Sequence, residues 1–517
     1  MSRPAALTDS LLDTLRTRVQ ADTSDTYTTT AVFTGGDLAT LPESTVTDVH
    51  TAYGRAAQAQ KAWAQQDIKA RLQVFHRFHT LLLRERETLA DLLQAETGKA
   101  RRDAFEEMSE PALVASYYLR TATKLLRPKK KAGLMPGAIT ATELRQPKGV
   151  VGIISPWNYP FALALGDLIP ALIAGNGVVL KPDSQTALSP LFGADLLYRA
   201  GLPDGLLQVV LGDGPTIGGA VVDTCDYIGF TGSSRTGTLI AAQAGQRLIG
   251  CSLELGGKNP MIVLDDANIE SAAANAVRGC FANSGQLCLA LERIYVHDAI
   301  FDRFADAFVA AAGRLRQAPG YDYHADLGSL TSQRALKTVS EHVDDARAKG
   351  ATVLTGGRPR PDLGPYFYEP TVLTDVTPDM VCHKTETFGP VVSLYAYRTD
   401  DEAVELANDT EYGLNASVFG RDLVRARRIA ARLRAGTVNV NDGYASAFGS
   451  TDTPMGGMGA SGLGRRHGAE GLLRYTEVQS IATQRVNMLE PPRWLPYGLY
   501  STILAATLRL MKKVGLR

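Results

Sequence analysis

A chain of 517 residues that is 45% hydrophobic and 21% charged exceeds what one hydrophobic core ordinarily holds, so two or three domains enclosing a cleft are expected. The 54 basic and 54 acidic side chains cancel, which gives no reason to expect a nucleic-acid partner. Five cysteines without paired spacing describe neither a disulfide framework nor a metal site, so a reducing, cytoplasmic setting and no bound metal are expected.

The N-terminal "MSRPAALTDSLLDTLRTRVQ" has no apolar signal core, and no stretch reaches the roughly 18 apolar residues of a membrane span. From about residue 45 to 126 the leucines recur three and four apart, as in "DIKARLQVFHRFHTLLLRERETLADLLQAETGKA", and predict helices. "RPKKKAGLMPG" breaks that period and reads as a solvated connector. An extended pair turning at Pro147 to Gly149 is expected next, feeding a buried strand in "GVVGIIS". Further β-branched runs, "GVVLKP", "LLQVVLG" and "CDYIGFTG", are each followed by a turn and a helical pattern, which implies parallel sheet with crossover helices. From Pro260 the cycle resumes through "MIVLDD", "RIYVH", "TVLTGG", "VVSLYAY" and "GTVNVND", a second α/β domain. The closing "GLYSTILAATLRLMKKVGLR" gathers Leu499, Ile503, Leu510 and Val514 on one helical side and Arg509, Lys512 and Lys513 on the other. A helix docked on its own protein or a sister subunit is the reading preferred there, ahead of peripheral membrane contact.

Several residues could carry chemistry, each with a plainer reading beside it. Asn158 in "SPWNYP" stands on a proline-bracketed turn after a strand, where its amide could meet a developing oxyanion, though most loop asparagines only form turns. Lys181 and Ser184 in "VVLKPDSQT" follow a strand end, where a ribose or its phosphate would be met, or only water. "YIGFTGSSRTG" offers Phe230, Gly232 and Ser233 at a helix start able to receive phosphate, a pattern that is more often only a cap. The GxG of "GDGPTIGG", Gly212 and Gly214, is weaker still. Glu254 sits between leucines, where burial would raise its pKa into the range of a general base; a solvated strand end is the alternative. Cys288 in "FANSGQLCLALER" is either a small core residue or a nucleophile.

The order PWNYP, LKP, FTGS, LELGGK, GQLC, ETFGPV and PMGGMGASGLGRRHG, together with the separation of Glu254 from Cys288, resembles the aldehyde dehydrogenase superfamily over nearly the whole chain. The resemblance implies an α/β fold with a Rossmann-type cofactor domain (27–135 and 150–256), a catalytic domain (257–455) and a small β oligomerisation arm (136–149 and 472–488), ahead of a C-terminal amphipathic tail (489–517). It further implies that Cys288 attacks an aldehyde, that Asn158 and the Cys288 N–H stabilise the oxyanion, and that Glu254 activates the water releasing the acid. Lys258 stands where the family has a lysine after the base. Trp157, Lys181, Ser184, Gly214, Phe230, Gly232, Ser233, Glu386 and Phe388 take the cofactor-binding positions. At the third residue after Lys181 a glutamate would repel a 2′-phosphate; Ser184 there favours NADP over NAD, with NAD use left open.

Within the superfamily the chain most resembles actinobacterial NADP-dependent succinate-semialdehyde dehydrogenases. Yet the arginines that better-known enzymes of that specificity place eight residues after the PWN asparagine and six before the nucleophile are here Gly166 and Ala282, and the lysine usual in the GGxKxSG segment is Gly459. Tyr159, Tyr444 and Phe448 would suit an apolar or aromatic aldehyde as well, so a broad-specificity aldehyde dehydrogenase is the alternative. A homodimer or homotetramer is expected, with a small-molecule aldehyde as the substrate.

Overall fold

The computed structural model describes residues 3–133, 138–485, 487 and 490–515. These fall into two compact units, one formed by the chain up to Thr123 with Pro147–Tyr475, the other by Lys124–Gln146 with the chain from Thr476 onward.

In the larger unit, four helices, Val46–Gln65, Ile68–Arg84, Arg86–Thr97 and Arg101–Leu126, occupy the region of helical leucine spacing. The first is opened by a capping box in which Thr45 and Asp48 satisfy one another's backbone N–H groups. Ahead of them stands a hairpin the hydrophobic pattern did not reveal, Thr26–Ala31 with Gly36–Pro42, because its threonine-rich strands carry little apolar alternation. Gly35 at its turn has φ 73°, a left-handed value that glycine adopts without steric cost.

A six-stranded sheet follows in the order Gly462–Leu463, Gly250–Glu254, Tyr227–Thr231, Val150–Ile154, Gly177–Lys181, Leu207–Val209. All neighbours are parallel except the short Gly462–Leu463 edge. The strands read as unbroken apolar runs because both faces are covered. The helix Pro160–Ile173, buried at every position, packs against this sheet. A seven-stranded sheet runs Thr352–Thr355, Thr371–Thr374, Val391–Tyr397, Leu291–His297, Asn259–Val263, Asn415–Phe419, Thr437–Val440. It is parallel apart from Thr352–Thr355, so "TVLTGG" is an antiparallel edge and not one more turn of the strand–helix cycle.

In the smaller unit, Thr476–Gln484, Ile139–Pro147 and Lys129–Lys131 form a three-stranded sheet, and the helix Tyr497–Lys513 follows. Two expectations change here. Lys129–Lys131, read as solvated connector, is an edge strand antiparallel to Ile139–Pro147, with Lys131 paired to Glu143 at 2.9 Å. Pro147 to Gly149 does not turn one strand back on another, since Val150–Ile154 belongs to the six-stranded sheet. Residues 134 and 135 of the expected cofactor domain, 136, 137, 486 and 488 of the expected arm, and 489, 516 and 517 of the expected tail lie outside the described residues.

Candidate active site

In the six-stranded sheet the chain steps outward from Val150–Ile154 to Gly177–Lys181 and Leu207–Val209, then returns to place Tyr227–Thr231 on the opposite side of Val150–Ile154. This reversal opens a crevice beyond the carboxyl ends of the two central strands, the place where open α/β sheets take ligands. Trp157 and Asn158 follow one of those ends, Gly232 and Ser233 the other. Phe230 is buried, and a side chain at 232 would strike its ring, so the turn needs glycine. Exposed Ser233 caps the helix Ser234–Gln246, its hydroxyl accepting from Thr236 N–H at 3.3 Å, and leaves a helix N-terminus facing solvent.

Lys181 ends the neighbouring strand, 5% exposed, with Nζ donating to the Pro182 carbonyl at 3.2 Å. Burial lowers its pKa, while nearby Asp183 and Asp213 favour its charged form. Those two carboxylates were not part of the sequence argument. Ser184 donates to the Gly212 carbonyl at 3.1 Å, so its hydroxyl oxygen stays free to accept. Gly214 opens the turn Gly214–Gly218, capped by Asp213, exposed at its first three residues and buried at Ile217 and Gly218.

Cys288 lies between the turn Ala282–Gly285 and the strand Leu291–His297. Asn283, Ser284 and Gly285 hold φ of 51°, 54° and 72°, three consecutive left-handed residues of which the first two cost about 1–3 kcal/mol each unless their surroundings enforce them. The enforcement is visible. Asn283 Nδ2 donates to the carbonyls of Asn158 and Gln286, both at 3.1 Å, and Ser284 Oγ donates to the Gly328 carbonyl at 3.0 Å. Asn259 Nδ2 fixes the Cys288 carbonyl at 2.7 Å. Asn158, 4% exposed, donates from Nδ2 to the Gln286 carbonyl at 3.1 Å, and its own carbonyl accepts from Lys99 Nζ at 2.9 Å. The nucleophile loop and the PWN turn are thus locked together by backbone carbonyls. Cys288 is partly exposed and packs with Phe448 against Tyr159, Leu163, Ala282, Tyr444 and Met455. Burial, then the carboxylates of Glu386 and Glu254, push its thiol up to about 12, so it rests protonated.

Glu254 ends the strand Gly250–Glu254, 7% exposed, with Oε1 lacking a hydrogen-bond partner. Burial raises its carboxyl to about 7 against the pull of Arg466 and Arg474. Arg466 is itself buried. It donates from Nη2 to Asp167 at 2.8 Å and to Thr231 Oγ1 at 2.9 Å, and Thr231 is the register partner of Glu254. Asp167 also pairs with Arg474. This Asp167–Arg466–Arg474 cluster escaped the sequence reading, although Arg466 stands in the last of the family-like motifs, "PMGGMGASGLGRRHG".

Glu386 accepts from Gly257 N–H at 2.7 Å, and burial followed by the Glu292 charge raises it to about 8. Phe388, with φ 54°, meets Trp157 edge to face at 5.4 Å between ring centres. Lys258 does not reach this crevice as a free cation: it is buried and ion-paired to Glu292, which also accepts the N–H groups of Thr387 and Phe388. Lys258 therefore braces the turn that presents Glu386 and Phe388.

On the substrate side, a side chain at Gly166 would meet Glu110 Oε1 at 2.9 Å, so a carboxylate occupies the neighbourhood where an arginine was sought. Tyr444 donates to Glu106 Oε1 at 2.6 Å, and Glu106 pairs with Arg278. Arg278 stands one helical turn before Ala282, its side chain 38% exposed. No sequence motif marks it, and its guanidinium also lies 3.5 Å from Asp103.

Comparison with known proteins agrees with this geometry. The model of the aldehyde dehydrogenase family matches residues 19–481. A protein of Mycolicibacterium smegmatis, provisionally named an NADP(+) succinate-semialdehyde dehydrogenase, is 54% identical over 93% of both chains. A 3-sulfolactaldehyde dehydrogenase of Pseudomonas putida is 37% identical over 90% of this chain and 94% of its own. The crystal structure of betaine aldehyde dehydrogenase from Staphylococcus aureus in complex with NAD+ superposes with a TM-score of 0.87 at 30% identity, covering 94% of this chain and 99% of that one. With the family model matched over residues 19–481 and relatives matched over nine-tenths or more of their length and of this one, the chain belongs to the aldehyde dehydrogenase family.

Proposed function

We propose that this protein oxidises succinate semialdehyde to succinate, with NADP preferred over NAD. The observation that supports the chemistry is that Asn158 bonds the Gln286 carbonyl two residues before Cys288, while the Glu254 charge acts on the Cys288 thiol. Cys288 Sγ adds to the aldehyde carbon while its proton passes to solvent water, and the resulting oxyanion accepts from Asn158 Nδ2 and the Cys288 N–H. The cofactor, when bound, supplies the hydride acceptor. A crevice with a helix N-terminus at Ser233, an amine at Lys181 and an edge-to-face pair of Trp157 and Phe388 fits a dinucleotide, with Glu386 for the nicotinamide ribose. Once the thiohemiacetal carbon has lost its hydride, a thioester remains on Cys288; Glu254 takes a proton from water, which then displaces the sulfur and frees the acid.

The choice of NADP rests on Lys181 with a hydroxyl and no carboxylate at position 184, and on the cofactor in the name of the 54% identical relative. Succinate semialdehyde rests on that same name and, more weakly, on Arg278, a cation one helical turn before Ala282 that is shared with Asp103 and Glu106. A second reading, a broad-specificity enzyme for aliphatic or aromatic aldehydes, is favoured by the lining of Tyr159, Tyr444 and Phe448. Homo-oligomerisation is supported by the nine-residue strand Thr476–Gln484, exposed over eight positions with Val478 and Ile481 among them, since a long bare edge invites pairing. Five unbridged cysteines support a cytoplasmic setting.

The decisive experiment is mass spectrometry of enzyme quenched during turnover. An acyl adduct is expected on the peptide holding Cys288, and Cys288→Ala is expected to lose both adduct and oxidation. Aldehyde oxidation surviving in Cys288→Ala refutes the mechanism.

A further inference from the structure

The C-terminal segment 491–515 contains four basic residues, Arg493, Arg509, Lys512 and Lys513, and no acidic one. All four are exposed, and none has an ion-pair partner among the described residues. Within it the helix Tyr497–Lys513 divides its apolar surface into two rows. Tyr500, Leu504, Thr507 and Met511, spaced by four, three and four residues, are half-buried or buried, so this row is already packed against protein. Leu499, Ile503, Leu510 and the C-cap Val514 form the second row and are 53%, 51%, 61% and 59% exposed. Trp494, just before the helix, and Tyr497, its first residue, are 79% and 66% exposed. The expectation of a helix docked on protein therefore accounts for one row and leaves the other, with its flanking cations, uncovered.

An apolar stripe flanked by unpaired cations and ending in exposed tryptophan and tyrosine is the composition that partitions into the interface of an anionic bilayer: the apolar side chains enter the acyl boundary, the aromatics sit at headgroup depth, and the cations meet lipid phosphates. No helix among the described residues is long and apolar enough to cross a membrane, so contact of this kind is parallel to the surface. A second copy of the chain would bury the stripe equally well, but burial alone leaves Arg493, Arg509, Lys512 and Lys513 without anions; a phosphatidylglycerol surface satisfies both. We propose that the helix Tyr497–Lys513 binds the surface of an anionic membrane through the stripe Leu499, Ile503, Leu510 and Val514 and the cations beside it.

The test is sedimentation of the full-length protein with vesicles of equal parts phosphatidylglycerol and phosphatidylcholine, and with phosphatidylcholine vesicles alone. At low salt the pelleted fraction is expected to be roughly fivefold or more higher with the anionic vesicles and to fall in 0.5 M salt, since the attraction is screened within a Debye length. The double substitution Ile503→Asp and Leu510→Asp, and separately the triple substitution Arg509→Glu, Lys512→Glu and Lys513→Glu, are each expected to abolish pelleting while circular dichroism and aldehyde oxidation stay as in the parent. Sedimentation velocity on the same variants distinguishes the other occupant. Equal pelleting with both vesicle types, pelleting unaltered by either variant, or no pelleting together with a smaller oligomer in the Ile503→Asp, Leu510→Asp variant overturns the proposal, the last in favour of a second copy.

Discussion

Glu254 is caught between opposing effects, of which burial is the larger. Its burial favours the neutral acid; Arg466 and Arg474 favour the carboxylate; the balance lies at about 7. A base exists only in the ionised form, so the hydrolysis of the thioester is expected to quicken as pH rises through about 7 and then level off. Stopped-flow measurement of the step after the burst of reduced cofactor would show this rise, and Glu254→Gln is expected to keep the burst, slow the later step by roughly 10²–10⁴-fold and flatten its pH profile. Unchanged steady-state turnover in that variant removes Glu254 from the mechanism. Cys288 presents the converse case: burial and two neighbouring carboxylates hold the thiol protonated, which protects the nucleophile at rest and makes proton removal part of the attack.

Strand ends and helix registers place the groups that select ligands. Position 184 follows the carboxyl end of Gly177–Lys181, near Lys181, Asp183 and the Gly212 carbonyl that Ser184 bonds. A third carboxylate there would face a 2′-phosphate directly. Ser184→Glu is expected to raise the KM for NADP by roughly tenfold or more while leaving that for NAD within about twofold, because like-charge contact is costly and specific to the phosphate. Equal effects on both cofactors exclude position 184 as the selector. The helix Ile269–Phe281 carries the corresponding test for substrate, at Arg278. If Arg278 reads a carboxylate, Arg278→Ala lowers kcat/KM for succinate semialdehyde by roughly 10–100-fold, the worth of a charge-assisted hydrogen bond, and leaves hexanal and benzaldehyde nearly unchanged. A uniform loss across the three aldehydes assigns Arg278 to holding Glu106 and Tyr444 in place.

Across the whole molecule, a balanced overall charge conceals a local imbalance, since the closing helix concentrates cations that the rest of the chain offsets elsewhere. The membrane proposal belongs to this scale. By itself, the sequence determined the α/β class, the order of strands from Val150 to Thr231, and Cys288, Glu254 and Asn158 as the residues to examine; these follow from β-branched runs, glycine turns and motifs that are local in the chain. It did not reveal the threonine-rich hairpin, the lysine strand Lys129–Lys131 or the antiparallel edge Thr352–Thr355, whose pairing depends on distant partners. Only the tertiary structure decided that Lys258 is consumed by Glu292, that Asp167 pairs with both Arg466 and Arg474 near Glu254, and that Arg278 pairs with Asp103 and Glu106. Those are long-range charge pairings between segments up to 307 residues apart, and their energies depend on burial and distance, which no local pattern encodes.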